Sequence, residues 1–172
     1  MNTAPVPFVT GLPPVIPQTC RLLVLGSLPG NRSLAARQYY AHPQNHFWRL
    51  MDRVTGDSLA GLPYDERLVR LGRHHIGLWD VIATARRASS LDGDIKQAVS
   101  NPLAGLVATL PDLRAVACNG ALATKLATRQ LADQLADTGL PVIALPSTSP
   151  AYTLAFAAKA ERWQVLRDYL EP

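Results

Sequence analysis

Two hydrophobic rhythms alternate along the chain. Residues 21–26, 76–82, 113–118 and 141–145 form short, nearly continuous apolar runs, as strands do when both faces of a parallel sheet are covered. Between them, apolar residues recur every three or four positions. Phe47, Leu50, Met51 and Val54 do so before Gly56 ends the pattern, which predicts a helix. Residues 64–74 place Leu68 and Leu71 on one face and Asp65, Glu66, Arg67, Arg70 and Arg73 on the other. Pro102 opens a short helix over 103–110, where its missing N–H is no loss. Residues 121–137 are alanine-rich and helical, closed by Gly139, and residues 153–170 carry Phe156, Trp163, Leu166 and Leu170 as an apolar stripe. This alternation predicts an α/β fold, a three-layer α/β/α sandwich with a central four-stranded, mostly parallel sheet and right-handed crossovers. The loops that leave the strands then open on one edge, where open α/β sheets bind their ligands.

Two segments fall outside the rhythm. Residues 1–20 hold Pro5, Pro7, Pro13, Pro14 and Pro17, which forbid a stable helix and predict an extended arm laid over the surface. Residues 83–100 read as a polar loop containing Arg86, Arg87, Ser89, Ser90, Asp92, Asp94 and Lys96. The remaining 21–172 make a single domain, a size at which one hydrophobic core suffices.

Composition narrows this only a little. Apolar residues make up 48% of the 172 and charged residues 17%, the balance of a globular protein. The formal charge of +4 admits an anionic partner without naming it. Cys20 and Cys118 lie beside or within strand-like runs and read as reduced core thiols. His42, His46, His74 and His75 show no metal-ligand spacing, so neither metal nor other cofactor is expected. No run reaches the length of a membrane span, and the N-terminus lacks a basic flank followed by an apolar segment. These signs predict a soluble cytoplasmic protein.

The loop after the first strand attracts most interest. Gly26-Ser27-Leu28-Pro29-Gly30 runs on to Tyr39-Tyr40-Ala41-His42-Pro43-Gln44-Asn45-His46-Phe47-Trp48. It has neither a dinucleotide fingerprint nor the lysine of a P-loop, but its glycines let backbone approach a ligand. Tyr39 and Tyr40 offer flat faces to a ring, or pack the loop onto the sheet. Asn45 stands just before a helix, as a cap or as a site residue. A second loop, Pro146-Ser147-Thr148-Ser149-Pro150, precedes the last helix; it is a phosphate cradle or an ordinary capping turn. Arg86, Arg87 and Lys96 are phosphate contacts or a solvated basic loop, and Asp80 either faces the common edge or caps a loop.

Taken together these motifs resemble the uracil-DNA glycosylase superfamily. Gly-x-x-Pro-Gly after the first strand and Tyr-Ala-His-Pro-x-Asn-x-Phe-Trp are laid out as in its mismatch-specific branch. Ser27-Leu28 departs from that branch, which places its catalytic Asn where Leu28 stands. The set Gly26 to Pro29, Tyr39 to Pro43, Gly77-Leu78-Trp79-Asp80 and Leu145 to Ala151 is similar to the DNA-deoxyinosine (hypoxanthine-DNA) glycosylases. The resemblance implies a uracil-DNA glycosylase-like fold and a monofunctional, monomeric enzyme that acts on DNA containing deaminated bases. It flips hypoxanthine, or else uracil or xanthine, from the helix and hydrolyses the N-glycosidic bond.

Residue by residue, the resemblance makes Asn45 the catalytic, water-positioning group and Tyr40 the aromatic that stacks on the flipped base. Gly26, Ser27 and Leu28 supply backbone around the pocket, and Asn119 a base-edge contact. Ser147 and Ser149 hold phosphates. Ala151 falls where relatives place a bulky wedge, a role that passes to Tyr152. The alternatives are a mismatch-specific uracil-DNA glycosylase and an inactive nucleic-acid-binding domain of the same fold.

Overall fold

The computed structural model describes residues 4–172. Four strands, β2 (Leu22–Gly26), β3 (Ile76–Asp80), β6 (Ala115–Asn119) and β7 (Val142–Leu145), pair in the order β3-β2-β6-β7, every pairing parallel. The continuous apolar runs are explained by burial: every residue of β2, β3 and β6 is buried. Alternate side chains serve opposite faces. Leu22 and Val24 enter one core with Phe47, Leu50, Met51 and Trp163, supplied by helices α2 (Phe47–Thr55) and α7 (Phe156–Trp163). Leu23 and Leu25 enter a second core with Leu103, Ala123, Ala127 and Leu131. That face is covered by α4 (Leu103–Ala108), α5 (Ala121–Gln130) and α6 (Ala132–Thr138). The three-layer α/β/α sandwich is therefore present, with α3 (Tyr64–Arg73) packed against β3.

Several elements differ from the sequence reading. The expected polar loop 83–100 is largely sheet: β4 (Ile82–Arg86) and β5 (Lys96–Ser100) pair antiparallel, and β1 (Phe8–Thr10) joins β4 on its other side. Exposure hid β5, all five of whose residues face solvent. Residues 5–20 are pinned by β1 and by a bridge from Val15 to Leu78. A short helix, α1 (Asn31–Ala36), interrupts the long loop after β2, and the last helix gives way to a 3-10 turn over Gln164–Tyr169.

Register sets the functional edge. Gly26 lies opposite Asp80, and Asn119 lies opposite Leu145. The last residues of three adjacent strands, Gly26, Asp80 and Asn119, thus emerge side by side under the loops.

Candidate active site

One cavity of about 330 Å³ opens at this edge, lined by Gly26, Ser27, Leu28, Tyr40, Asn45, Asn119, Ser147, Ser149, Ala151 and Tyr152. Every residue singled out from the two sequence loops is on its wall. Also on the wall are Asp80, Asp92, Ser90, Leu91, Thr148, His42 and Arg32. Such a volume is at the small end of ligand pockets.

The strand-end backbone forms the floor. The carbonyls of Gly26 and Ser27 accept from Val81 and Ile82 N–H, so this turn is held by the start of β4. Glycine is required at 26: a Cβ there would lie 2.5 Å from Asp80 Oδ1 and 3.3 Å from the Tyr40 hydroxyl. The Ser27 hydroxyl donates to Asp92 Oδ1 at 2.6 Å, which brings the turn after β4 over the pocket. Arg87 is buried, and its Nη2 donates to the Pro29 carbonyl at 2.5 Å while Nη1 reaches the Leu28 carbonyl at 3.4 Å. Arg87 is therefore a clamp on the first loop rather than a phosphate contact. Arg86, by contrast, bonds Gln97 and the Val6 carbonyl.

The second loop is fastened from below. The Asn119 amide donates to Thr148 Oγ1 at 3.0 Å and accepts from Thr148 N–H at 2.9 Å. That pair leaves Asn119 one N–H and one lone pair for the pocket. Gly120 sits at φ +97°, and a Cβ there would lie 3.4 Å from Ser147 Cβ, so the glycine lets the second loop pack closely. Trp163 Nε1 donates to the Pro146 carbonyl, and buried Lys159 donates to the carbonyls of Ser149 and Tyr152. Burial lowers the Lys159 pKa. The hydroxyls of Ser147 and Ser149 accept from N–H groups within the same turn, of Ser149 and Ala151 respectively.

The two loops meet at the start of α2, where His46 N–H donates to the Thr148 carbonyl at 3.0 Å. Asn45 Oδ1 accepts from Phe47 N–H at 2.9 Å, a turn-type bond that satisfies the first donor of the helix. The helix N-cap is His46, so Asn45 makes an Asx turn just ahead of the cap instead of capping the helix itself, and this leaves work for the amide. With Oδ1 fixed by its donor, a second lone pair is free, and Nδ2 makes no hydrogen bond among the described residues.

The tyrosines divide the two roles open to them. Tyr39 turns into the core and donates to the Pro13 carbonyl at 2.7 Å. Tyr40 stays on the pocket wall, its ring stacked on Phe47 with centroids 3.9 Å apart and planes at 22°. It adopts φ +54°, a left-handed conformation that costs a non-glycine residue energy and is found at ligand sites more than elsewhere.

Asp80 is only 4% exposed, and among the described residues its Oδ2 has no hydrogen-bond partner; the Tyr40 hydroxyl is also buried, beside the Asn119 amide. Burial raises the Asp80 carboxyl from 3.8 to about 7, with Arg87 opposing and Asp92 reinforcing. Burial, then the charge of Asp80, raises the Tyr40 phenol, with a hydrogen bond from Asn119 opposing. The sequence left Asp80 between two readings; its burial at a strand end places it at the common edge. Asp92 gave no sequence signal, because its approach depends on β4 and β5. No three His, Cys, Asp or Glu side chains among the described residues are grouped to hold a metal ion.

Similar proteins agree with this architecture. The Uracil DNA glycosylase superfamily profile matches residues 13–169. A "Hypoxanthine DNA glycosylase" from Methanosarcina acetivorans is 33% identical over 156 residues, spanning 91% of this chain and 96% of its own. One from Methanosarcina barkeri is 43% identical over 110 residues, 64% of this chain and 70% of its own. The solution NMR structure of a putative uracil DNA glycosylase from Methanosarcina acetivorans superposes with a TM-score of 0.82 at 32% identity, covering 96% of this chain and 99% of that one. With the sheet order, the two tied loops and a match over nearly the whole length, the chain belongs to the uracil DNA glycosylase superfamily.

Proposed function

We propose that the chain is a monofunctional DNA glycosylase that takes a deaminated base, hypoxanthine foremost, into this cavity and hydrolyses its N-glycosidic bond. The convergence of the two sequence loops on one cavity, tied by the His46 to Thr148 bond, carries this reading. The names of the Methanosarcina relatives support hypoxanthine as the base. Extruding a base costs a few kcal/mol, least at a mismatch. Ser147 and Ser149, on a turn braced by Lys159 and Trp163, hold the flanking phosphates. Tyr152, 48% exposed on the rim, fills the gap that small Ala151 cannot.

Inside, the base lies against Tyr40, whose far face is backed by Phe47. Asn119 offers its remaining donor and acceptor to the base edge. The bond from C1′ to the base breaks with its electron pair leaving on the base, so the sugar becomes cationic and the base anionic. Water held by the free valences of Asn45 adds to C1′ and gives up its proton, and the base takes up a proton. An amide orients water without deprotonating it, which suits a path in which bond breaking leads. No lysine among the described residues is on the cavity wall, which argues against a Schiff-base lyase step.

The cavity is complete within one chain, which supports a monomer. Both cysteines are free thiols, which suits the reducing cytoplasm. The test is a glycosylase assay on duplexes carrying hypoxanthine, uracil or xanthine, with alkaline cleavage at abasic sites. Hypoxanthine is expected to be released fastest and strand cleavage to require alkali. Binding without release of any of the three refutes the enzyme reading and leaves the binding-domain alternative.

A further inference from the structure

We propose that Asp80 reads the base as a neutral carboxylic acid, donating its proton in a hydrogen bond to the carbonyl oxygen that deamination has placed on the base. This rests on the glycosylase reading and deepens it. Three geometric facts support it. Asp80 ends β3 on the cavity wall at 4% exposure, and Oδ2 is buried without a partner. The buried Tyr40 hydroxyl, beside the Asn119 amide, and Asp80 Oδ1 both crowd the Cβ position of Gly26, so the carboxyl shares one corner of the floor with the groups that line the base pocket. Native proteins seldom leave buried polar atoms unpaired without a ligand or a function to account for them.

Deamination of adenine or cytosine exchanges an amino donor for a carbonyl acceptor, so a fixed donor at this point favours hypoxanthine over adenine and uracil over cytosine. As the glycosidic bond breaks, negative charge spreads onto that oxygen. The hydrogen bond then strengthens in the transition state, which is where binding accelerates a reaction. An ionised Asp80 would present charge to a carbonyl oxygen and repel it.

The groups facing the carboxyl are Arg87 beyond β4, Asp92 in the turn before β5, and Tyr39 and Tyr40 from the loop after α1. Burial, with Asp92 added and Arg87 subtracted, places its titration at about 7, within reach of the assay.

The test is single-turnover release of hypoxanthine from duplex DNA between pH 5.5 and 9, with enzyme in excess, for wild type, Asp80→Asn and Asp80→Ala. The wild-type rate is expected to fall about tenfold per pH unit above the Asp80 titration. Asp80→Asn, which carries a donor at every pH, is expected to stay within roughly tenfold of wild type at pH 6 and to lose that fall, and Asp80→Ala to drop about 100-fold at pH 6. His42 and the other wall groups are present in all three proteins, so the difference between profiles reports Asp80. Melting temperatures separate loss of fold from loss of contact. Superimposable pH profiles for wild type and Asp80→Asn, or a fully active Asp80→Ala, overturn the inference while leaving the glycosylase reading intact. A wild type that releases no deaminated base overturns both.

Discussion

Asn45 carries two roles that one substitution would confuse and two will separate. Its Oδ1 takes the Phe47 N–H at 2.9 Å, and losing one such hydrogen bond costs roughly 0.5–1.5 kcal/mol. In a chain of this size that corresponds to a melting temperature lower by about 1–6 °C. The amide is also expected to aim water at C1′, and misplacing a reactant by an ångström costs on the order of 100-fold. Asn45→Ala removes both roles. Asn45→Ser keeps a hydroxyl able to bond the N–H two residues on, yet is too short to reach the water. We expect Asn45→Ala to lose stability by that bond's worth and excision by about 100-fold or more. Asn45→Ser should melt within about 2 °C of wild type while losing excision to a similar degree. Thermal melts and single-turnover excision from a hypoxanthine duplex read the two effects separately. A serine variant that excises at the wild-type rate would mean that Asn45 makes a turn and nothing more, and the assignment of water positioning would fall.

Four further outcomes follow from the geometry. Because the folded Asp80 carboxyl titrates at about 7 against 3.8, the folded state holds a proton that the unfolded state releases, and stability declines as pH rises between those values. At roughly 1.4 kcal/mol per pH unit the penalty above pH 7 reaches at most about 4 kcal/mol, so urea unfolding should show Asp80→Asn gaining on wild type between pH 5 and pH 8; an equal margin at both refutes the buried neutral acid. Asp57 behaves in the opposite sense: hydrogen bonds from His74 and Ser58, then Arg70, hold its carboxyl at about 2, so its contribution is present above pH 4 and fades toward pH 2, and Asp57→Asn should flatten that part of the acid unfolding profile. Gly26→Ala would set a Cβ 2.5 Å from Asp80 Oδ1, costing about 1–3 kcal/mol; adding Asp80→Ala should restore part of the melting temperature, and a strictly additive double variant would disprove the clash. Tyr152→Ala, at an exposed rim position, should change stability by no more than about 0.5 kcal/mol yet slow excision from duplex DNA more than from single strands, since only a duplex has a gap to fill.

The four strands of the parallel sheet and most helices were legible in the sequence because burial on both faces leaves β2, β3 and β6 apolar up to their last residues, and because helical spacing survives wherever one face meets the core. The long first motif and the serine-rich turn were legible for a different reason: glycine, proline and serine punctuate loops whose backbone geometry other residues cannot take. β5 was not legible, since a strand exposed at all five residues carries no hydrophobic period. Nor was the partnership of Ser27 with Asp92, which are 65 residues apart and are joined only because β4 and β5 fold the intervening chain back over the pocket. Asp80, Tyr40 and Asn119 are ordinary residue types in the sequence. Their chemistry arises from parallel register, which brings three strand ends to one edge, and from burial there, which strips water from a carboxyl and leaves it holding its proton. Local pattern determined the elements and the loops; only long-range pairing decided which side chains lost their solvent, and with it which of them acquired a function.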